Sequence, residues 1–226
     1  MSNWLNLITD WFQTKAKAEE KTLKTFERLW SGQEDGQRIT FVSVVIQPSA
    51  TSSCVIEDIG LSVWSKHILS ENMSYHWHVQ ENFEIQTEDV VTFGNPDSFA
   101  FGKTQTITAD DIKTVLDDWI LSLSGQCDQL CLVIFGRESA KKLEKQWTSP
   151  SPVVLLDLEV LWRLRYGGQP HATFDEAASE LGSFERATAM LDDAGNQAYY
   201  LLSVLRQLGG AEGPRGDFFP KLMDVE

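Results

Sequence analysis

Two histidines have types and a spacing that could serve metal chemistry. His76 and His78 are two residues apart in a strand-like run, so they share one face, a spacing that can hold zinc. No matched Cys or His pair follows at metal-site spacing, which favours a structural role for both. The segment 102–104, Gly-Lys-Thr, is similar to the end of a phosphate-binding loop, but Asp97 stands where that loop needs glycine. We therefore expect neither a zinc site nor a nucleotide site.

The net charge argues against non-specific binding of nucleic acid. The chain has 226 residues, a formal net charge of −14 and a pI near 4.7, and this acidic field repels phosphate backbones. A basic strip around Lys141, Lys142 and Lys145 is more simply a solvated helix face. The hydrophobic fraction of 42% is ordinary for a globular protein, and the length suits one large domain.

The cysteines point to a reducing compartment. Cys54, Cys127 and Cys131 are odd in number, and no apolar signal region opens the chain, so we expect free buried thiols and a cytoplasmic or nuclear location. No run approaches the roughly 18 apolar residues that span a membrane.

The first 36 residues are predicted to form an N-terminal helical arm and linker. A helix over residues 3–30 has an aromatic and aliphatic cluster at each end, separated by a charged middle. Residues 31–36 are typical of a linker. The aromatic face is predicted to dock a protein partner or a second copy, although packing on its own domain is the alternative. The candidate partner-binding residues are Trp4, Trp11, Phe12, Phe26 and Trp30.

From residue 37 to 208 the pattern is that of an α/β domain. Three strand-like runs, at 39–46, 54–64 and 75–79, predict an antiparallel meander. Two buried strands follow, at 130–135 and 153–158, and they alternate with helices, the last of which is expected over 184–208. The order predicts a mixed sheet of about five strands with helices on both faces, and then a tail at 209–226.

Several segments resemble one nuclease family, in the right order. The segment 192–198, Asp-Asp-Ala-Gly-Asn-Gln-Ala, resembles the H-N-A-G-N-D-A signature of DEDDh-type 3′→5′ exonucleases. The segments 57–63, 76–82 and 99–104 are similar to further motifs of a fungal branch with relatives linked to mRNA export and RNA silencing. The resemblance covers about residues 38–208 and implies a ribonuclease H-like fold there, to which the helical arm is an N-terminal extension.

The same resemblance implies that every catalytic position is replaced. Such enzymes clamp two divalent ions between carboxylates and use a histidine as general base. The D-x-E of the first strand falls on Val45 and Gln47, and the general-base histidine falls on Asp192. A further aspartate falls on Gln197, and the second-motif aspartate falls on Ala140, or on Lys142 if the nearby glycine is aligned instead.

We therefore expect a catalytically inactive exonuclease-like protein with no metal and no cofactor. Its predicted function is that of a macromolecular binding or adaptor module in an RNA-related pathway, most simply through protein–protein contacts. The alternative is an active or residual exonuclease, or an RNA-binding protein, with a non-standard site. Acids that remain for such a site are Glu57, Asp58, Glu138, Asp157, Asp192 and Asp193, although helix caps and turns explain them more simply.

Overall fold

The centre of the molecule is a mixed sheet flanked by helices. The computed structural model describes residues 17–32, 35–49, 52–65, 73–80, 99–166, 173–180 and 193–209. The strands are β1 (Ile39–Ser49), β2 (Ser52–Trp64), β3 (Met73–Val79), β4 (Thr104–Ile107), β5 (Gln129–Ile134) and β6 (Val154–Asp157). The helices are α1 (17–32), α2 (Asp111–Ser124), α3 (Arg137–Gln146), α4 (Leu158–Tyr166), α5 (Phe174–Glu180) and α6 (Ala194–Leu208).

The six strands lie in the order β4-β3-β2-β1-β5-β6. β1, β2 and β3 pair antiparallel, which confirms the predicted meander, and β5 and β6 continue the sheet in parallel from β1. The sequence analysis missed β4, which pairs parallel with β3 at the opposite edge. This strand has only four residues, Thr-Gln-Thr-Ile, so it carries almost no periodic signal.

Alternate residues of the strands serve two separate cores, one on each face of the sheet. Ile39 and Phe41 of β1 are fully buried on the face covered by α1, α4 and α6. Val42 and Val44 are buried on the other face, under α2 and α3. A strand whose side chains are apolar on both faces needs a helical layer on each face of the sheet. The two cores meet this requirement, and the expectation of helices on both faces is confirmed.

Helix α1 belongs to this core and is not a separate arm over residues 17–32. Phe26 and Leu29 have no exposed surface, and the Trp30 ring stacks on Trp64 with 5.6 Å between centroids. Gly209 closes over the same indole, because an added Cβ would lie 2.2 Å from Trp30 Cζ2. The prediction that Phe26 and Trp30 bind a partner is therefore wrong, since the face they form is the one that covers the sheet. Trp4, Trp11 and Phe12 lie outside the described residues.

The proposed linker is in part a tight turn that leads directly into β1. The amide of Asp35 donates to the carbonyl of Ser31 at 2.9 Å, and that of Gln37 donates to Gly32 at 2.8 Å. Gly36 sits at φ 86°, a left-handed conformation that favours glycine. The sheet domain therefore begins with α1 rather than at residue 37.

Truncation of Phe26 tests the place of α1 in the core. Phe26→Ala is expected to lower the free energy of unfolding by about 3–5 kcal/mol, because it leaves a cavity the size of a phenyl ring under β1. Urea unfolding followed by circular dichroism measures the change, and Lys21→Ala on the exposed face of the same helix is the control. Equal, small effects for both variants would mean that α1 is dispensable to the core.

Helix α6 starts later than the sequence suggested. Its first residue is Ala194, because extended Asp193 caps it by accepting from the amide of Asn196 at 2.8 Å. A continuous helix from residue 184 is therefore wrong, and residues 181–192 lie outside the described part. Of the cysteines, Cys131 is a free, buried thiol and Cys127 is free and half-buried. The Cys54 side chain is not described.

None of the described helices combines the length and the apolar character needed to cross a bilayer.

Candidate functional site

A cleft of about 960 Å³ opens where the parallel strands β1, β5 and β6 end. The carboxyl ends of parallel strands are where open α/β sheets commonly bind ligands. Four of the five positions that the sequence analysis aligned with catalytic residues line this one cleft: Val45, Gln47, Ala140 and Gln197. The fold thus brings together residues that lie up to 152 positions apart in the sequence, from 45 to 197. The fifth position, Asp192, lies outside the described residues.

Each wall of the cleft comes from a different element. Val45 and Gln47 follow Ser43 on the α6-facing side of β1, and Ser43 Oγ donates to the Ala198 carbonyl at 2.6 Å. Gln197 lies in the first turn of α6, four residues after the Asp193 cap, and its amide donates to the Asp193 carbonyl at 2.9 Å. Ala140 lies on α3, and Lys142, the alternative position in the second motif, lines the cleft as well. Both alignments therefore place a residue without a carboxylate here.

The acidic residues that line the cleft are already engaged by other groups. Glu19 of α1 lies 2.5 Å from Arg163 of α4, whose guanidinium also lies 3.9 Å from Glu159. Glu138 pairs with Lys141 at 2.6 Å. Among the described residues, no three His, Cys, Asp or Glu side chains form a group that could hold a metal ion.

Asp157, at the end of β6, serves the backbone. Its Oδ1 accepts from the amides of Gly136 at 2.9 Å and Glu159 at 3.0 Å, so it ties the β5–α3 turn to the start of α4. Burial raises the pKa of this carboxyl above its usual range, and the amide donors only partly oppose the shift. Gly136 has φ 80°, and an added Cβ would lie 2.6 Å from Glu159 Oε2. Asp157 is thus a structural residue of the cleft wall.

Motif residues that match the resemblance pack against one another instead of lining the cleft. An added Cβ on Gly60 of β2 would lie 1.9 Å from the Ala194 carbonyl oxygen, so the start of α6 rests directly on the strand. An added Cβ on Gly195 would lie 2.7 Å from the Phe99 ring and 2.8 Å from His76 Cβ. These glycines set the height of α6 above the sheet.

The same contact region fixes the segment that precedes β4. Asn196 Oδ1 accepts from the amide of Ala100 at 3.0 Å, and the Phe101 ring stacks on Tyr199 at 3.6 Å. Asparagine and glycine at these places are explained by packing and hydrogen bonding. The motif therefore divides into residues that hold α6 in place and residues that face the cleft.

A buried polar cluster lies beneath the start of α6. Asp58 Oδ1 accepts from His78 Nδ1 at 2.7 Å, and it lies 3.4 Å from His76 Nε2. Asp193 Oδ2 is 3.6 Å from the same His76 nitrogen, and His76 Nδ1 is 2.9 Å from Thr104 Oγ1. All four titratable side chains are almost fully buried. The structural role expected for both histidines agrees with these contacts.

Charge interactions within this cluster shift two pKa values. Burial pushes the pKa of Asp58 up, but the two imidazoles outweigh it and hold that pKa below its usual range. The hydrogen bond to Asp58 raises the pKa of His78 despite burial. Asp58 and His78 therefore form a buried ion pair in which each residue favours the charged form of the other.

The sequence analysis missed several residues of the cleft. Glu19, Phe135, Glu159, Arg163 and Phe174 all line it, and none was singled out. Phe135 directly follows the end of β5 and Glu159 comes two residues after the end of β6, which was the one available signal for them. The ion pair of Glu19 with Arg163 joins residues 144 positions apart and has no local signature.

An antiparallel meander continued by two parallel strands, with helices on both faces and a cleft at the strand ends, defines a ribonuclease H-like fold. Residues 49–208 match the family model DEDDh_C, described as DNA polymerase III subunit epsilon-like, C-terminal domain. The match spans more than half of the chain, which therefore belongs to this family. β1 with Val45 and Gln47 lies almost entirely before the matched segment. None of the curated proteins with which the chain was compared matches it.

Proposed function

We propose that this chain is a degenerate DEDDh-type protein that binds another macromolecule and does not hydrolyse nucleic acid. The observation that carries the proposal is the convergence of Val45, Gln47, Ala140 and Gln197 on one cleft. Valine and alanine offer no ligand atom, and a neutral amide is a poor ligand for a hard divalent cation. Two-metal hydrolysis needs carboxylates at these places.

The division between packing residues and cleft residues supports this proposal. Gly60, Gly195 and Asn196 hold α6 on the sheet, so the scaffold keeps its shape without the metal ligands. Fold stability depends on the core, whereas activity depends on a few residues set on it. Loss of clustered carboxylates also removes mutual repulsion in a metal-free cleft.

The net charge favours protein as the partner class. With 33 acidic against 19 basic residues, the chain has an overall field that opposes a nucleic-acid backbone. We propose an adaptor role in an RNA-related pathway, in the cytoplasm or nucleus, and membership of a fungal branch of exonuclease-like proteins. The family membership supports the link to nucleic-acid metabolism, and the charge supports a protein partner.

The second candidate is an exonuclease with a rebuilt site. The acids near the cleft are the observation that bears on it, and their contacts disfavour it. Asp157 accepts hydrogen bonds from two backbone amides. Glu138, Glu159 and Glu19 have cationic partners. A metal ion would have to displace these partners before it could bind.

Restoration of the carboxylates tests the proposal directly. The wild-type chain should show no saturable binding of Mg²⁺ or Mn²⁺ at millimolar concentrations in calorimetric titration. The variant V45D/Q47E/A140D/Q197D should bind Mn²⁺, because it gathers four carboxylates in one cleft. At about 100 times its Kd, Mn²⁺ should stabilise this variant by roughly 2.7 kcal/mol. The control V45N/A140N/Q197N changes the same walls without adding charge.

Nuclease assays complete the experiment. Wild-type protein with Mg²⁺ or Mn²⁺ should leave single- and double-stranded RNA and DNA intact at background levels. Metal-dependent degradation by the wild type that Asp157→Asn abolishes would contradict the proposal and favour the rebuilt site. Saturable Mn²⁺ binding by the wild type, even without degradation, would also contradict the proposal and favour the rebuilt site.

A further inference from the structure

We propose that the buried polar cluster beneath α6 is a pH-sensitive switch, which holds the first turn of this helix on the sheet and loosens it as the imidazoles lose their protons. The cluster consists of Asp58, His76, His78 and Asp193, and all four side chains are almost fully buried. This inference goes beyond the proposed function, because it concerns what controls the position of α6, whatever the cleft binds.

His76 is the member of the cluster that joins α6 to the sheet. Its Nδ1 lies 2.9 Å from Thr104 Oγ1, and its Nε2 faces two carboxylates, Asp58 Oδ1 at 3.4 Å and Asp193 Oδ2 at 3.6 Å. Among the described residues, neither His76 Nε2 nor Asp58 Oδ2 has a hydrogen-bond partner, although both atoms are buried. A protonated imidazole donates from both ring nitrogens. It would therefore place a donor and a positive charge between the carboxylates of β2 and α6.

The charged groups that face His76 belong to three elements. Asp58 lies on β2, His78 on the same strand as His76, and Asp193 at the start of α6. Asp58 Oδ1 accepts from His78 Nδ1 at 2.7 Å, and this hydrogen bond raises the pKa of His78, with a smaller contribution from the charge of Glu57. Protonated imidazoles balance the two carboxylates, and neutral imidazoles leave them to repel each other.

Helix α6 is the element that responds to this change of charge. Asp58 and His76 lie on β2 and β3, which are paired along six successive positions, whereas Asp193 stands at a helix end. Helix ends open at a lower free energy than the interior strands of a sheet. Asp193 Oδ1 also accepts from the Asn196 amide at 2.8 Å, so a movement of this carboxylate away from His76 disturbs the cap of the helix.

The packing around the cluster extends such a movement to the cleft. An added Cβ on Gly195 would lie 2.8 Å from His76 Cβ, so the helix rests directly on the strand that carries the imidazole. Gln197 lines the cleft two residues later, and Asn196 Oδ1 accepts from the Ala100 amide. A rise in pH should therefore loosen one wall of the cleft together with the segment before β4.

Amide hydrogen exchange in the full-length chain tests the switch. It is measured by NMR at about pH 5.5 and about pH 7.5, on either side of the range in which histidines titrate, and corrected for the intrinsic exchange rate. The amides of Asn196 and Gln197 donate to Asp193. Their protection should fall at the higher pH by at least about fivefold, the lower end of typical coupling between sites. The amide of Leu205, farther along α6, reports on opening of the whole helix and should change less.

Asp193→Asn separates the switch from the helix cap. Asparagine caps a helix as well as aspartate does, but it puts no negative charge beside His76. Protection of the Asn196 amide in this variant should therefore depend little on pH. The matched control is Asp110→Asn at the N-cap of α2, where the side chain makes no capping hydrogen bond. This control should keep the response of the wild type.

A second variant keeps the test decisive if Asp193→Asn destabilises the fold. His76→Asn retains an amide that reaches toward Thr104 but does not titrate in this range, so it should also remove the response. A response that persists in either variant would overturn the proposal. An equal loss of protection at Leu205, or no loss at Asn196 in the wild type, would overturn it as well. These measurements involve neither metal nor partner, so their failure would leave the proposed function unaffected.

Discussion

Gly60→Ala is expected to lower the free energy of unfolding by about 3 kcal/mol or more. The new Cβ would lie 1.9 Å from the Ala194 carbonyl oxygen and 2.6 Å from the Gly195 amide nitrogen, and both are backbone atoms. A flexible side chain could turn away, but a helix backbone can yield only if α6 lifts from the sheet. Urea unfolding and the thermal midpoint measure the loss.

The matched control is Gly125→Ala at the end of α2. Gly125 has right-handed dihedral angles, φ −73° and ψ −16°, and an added Cβ there would meet only atoms at 3.6 Å and beyond. This substitution should be neutral or stabilise by about 0.4–1 kcal/mol, since it restricts the unfolded chain. Similar effects at positions 60 and 125 would show that α6 does not sit on β2 as closely as described.

Removal of the Asp58 carboxylate is the second substitution with a large expected effect. Asp58→Ala leaves the buried imidazoles of His76 and His78 without their common partner, and loss of one member of a buried ion pair costs about 3–5 kcal/mol. Asp128→Ala, which breaks an exposed pair with Arg38, should have little effect. Chemical denaturation at pH 6 compares the two variants. Equal losses of unfolding free energy in the two variants would show that the Asp58 carboxylate does not stabilise the fold through this buried cluster.

The same cluster predicts how stability depends on pH. The pKa of His78 is raised above 6.5 in the folded state, so its contribution is complete below pH 6.5 and is lost as the pH rises through the folded pKa. The pKa of Asp58 is lowered below 3.8, so its contribution is complete above pH 3.8 and is lost as the pH falls through that lower value. The contribution of the pair is therefore greatest between about pH 4 and 6.5. Asp58→Asn should flatten the decline above pH 6.5.

Local patterns explain why much of the fold could be predicted. The β-branched runs that became β1, β2 and β3 alternate over many residues, and the helices on either side of β5, α2 and α3, have helical spacing. The four-residue β4 is too short for such a signal. The buried position of Phe26 was not evident either, because an amphipathic helix shows that it needs a partner surface but not which one.

The residues of the candidate site also include some that the sequence could predict and some that it could not. Val45, Gln47, Ala140 and Gln197 could be located because a motif fixes their spacing, and the cleft brings the four together. The pairing of Glu19 with Arg163 could not be predicted, since it depends on how α1 and α4 meet on the same face of the sheet. Sequence spacing identified the positions, and only the packed structure shows how the remaining acids are engaged.

The alternation along β1 has a consequence for mutational tolerance. Residues 39–44 are buried between two helical layers, so most changes there should abolish folding in a saturation mutagenesis screen. Residues 45–48 are half-buried or exposed at the cleft and should accept polar, apolar and acidic side chains alike. A single strand thus joins an intolerant half to a permissive half. A lineage with this scaffold can exchange the chemistry at the permissive end by a few substitutions, with no refolding of the sheet.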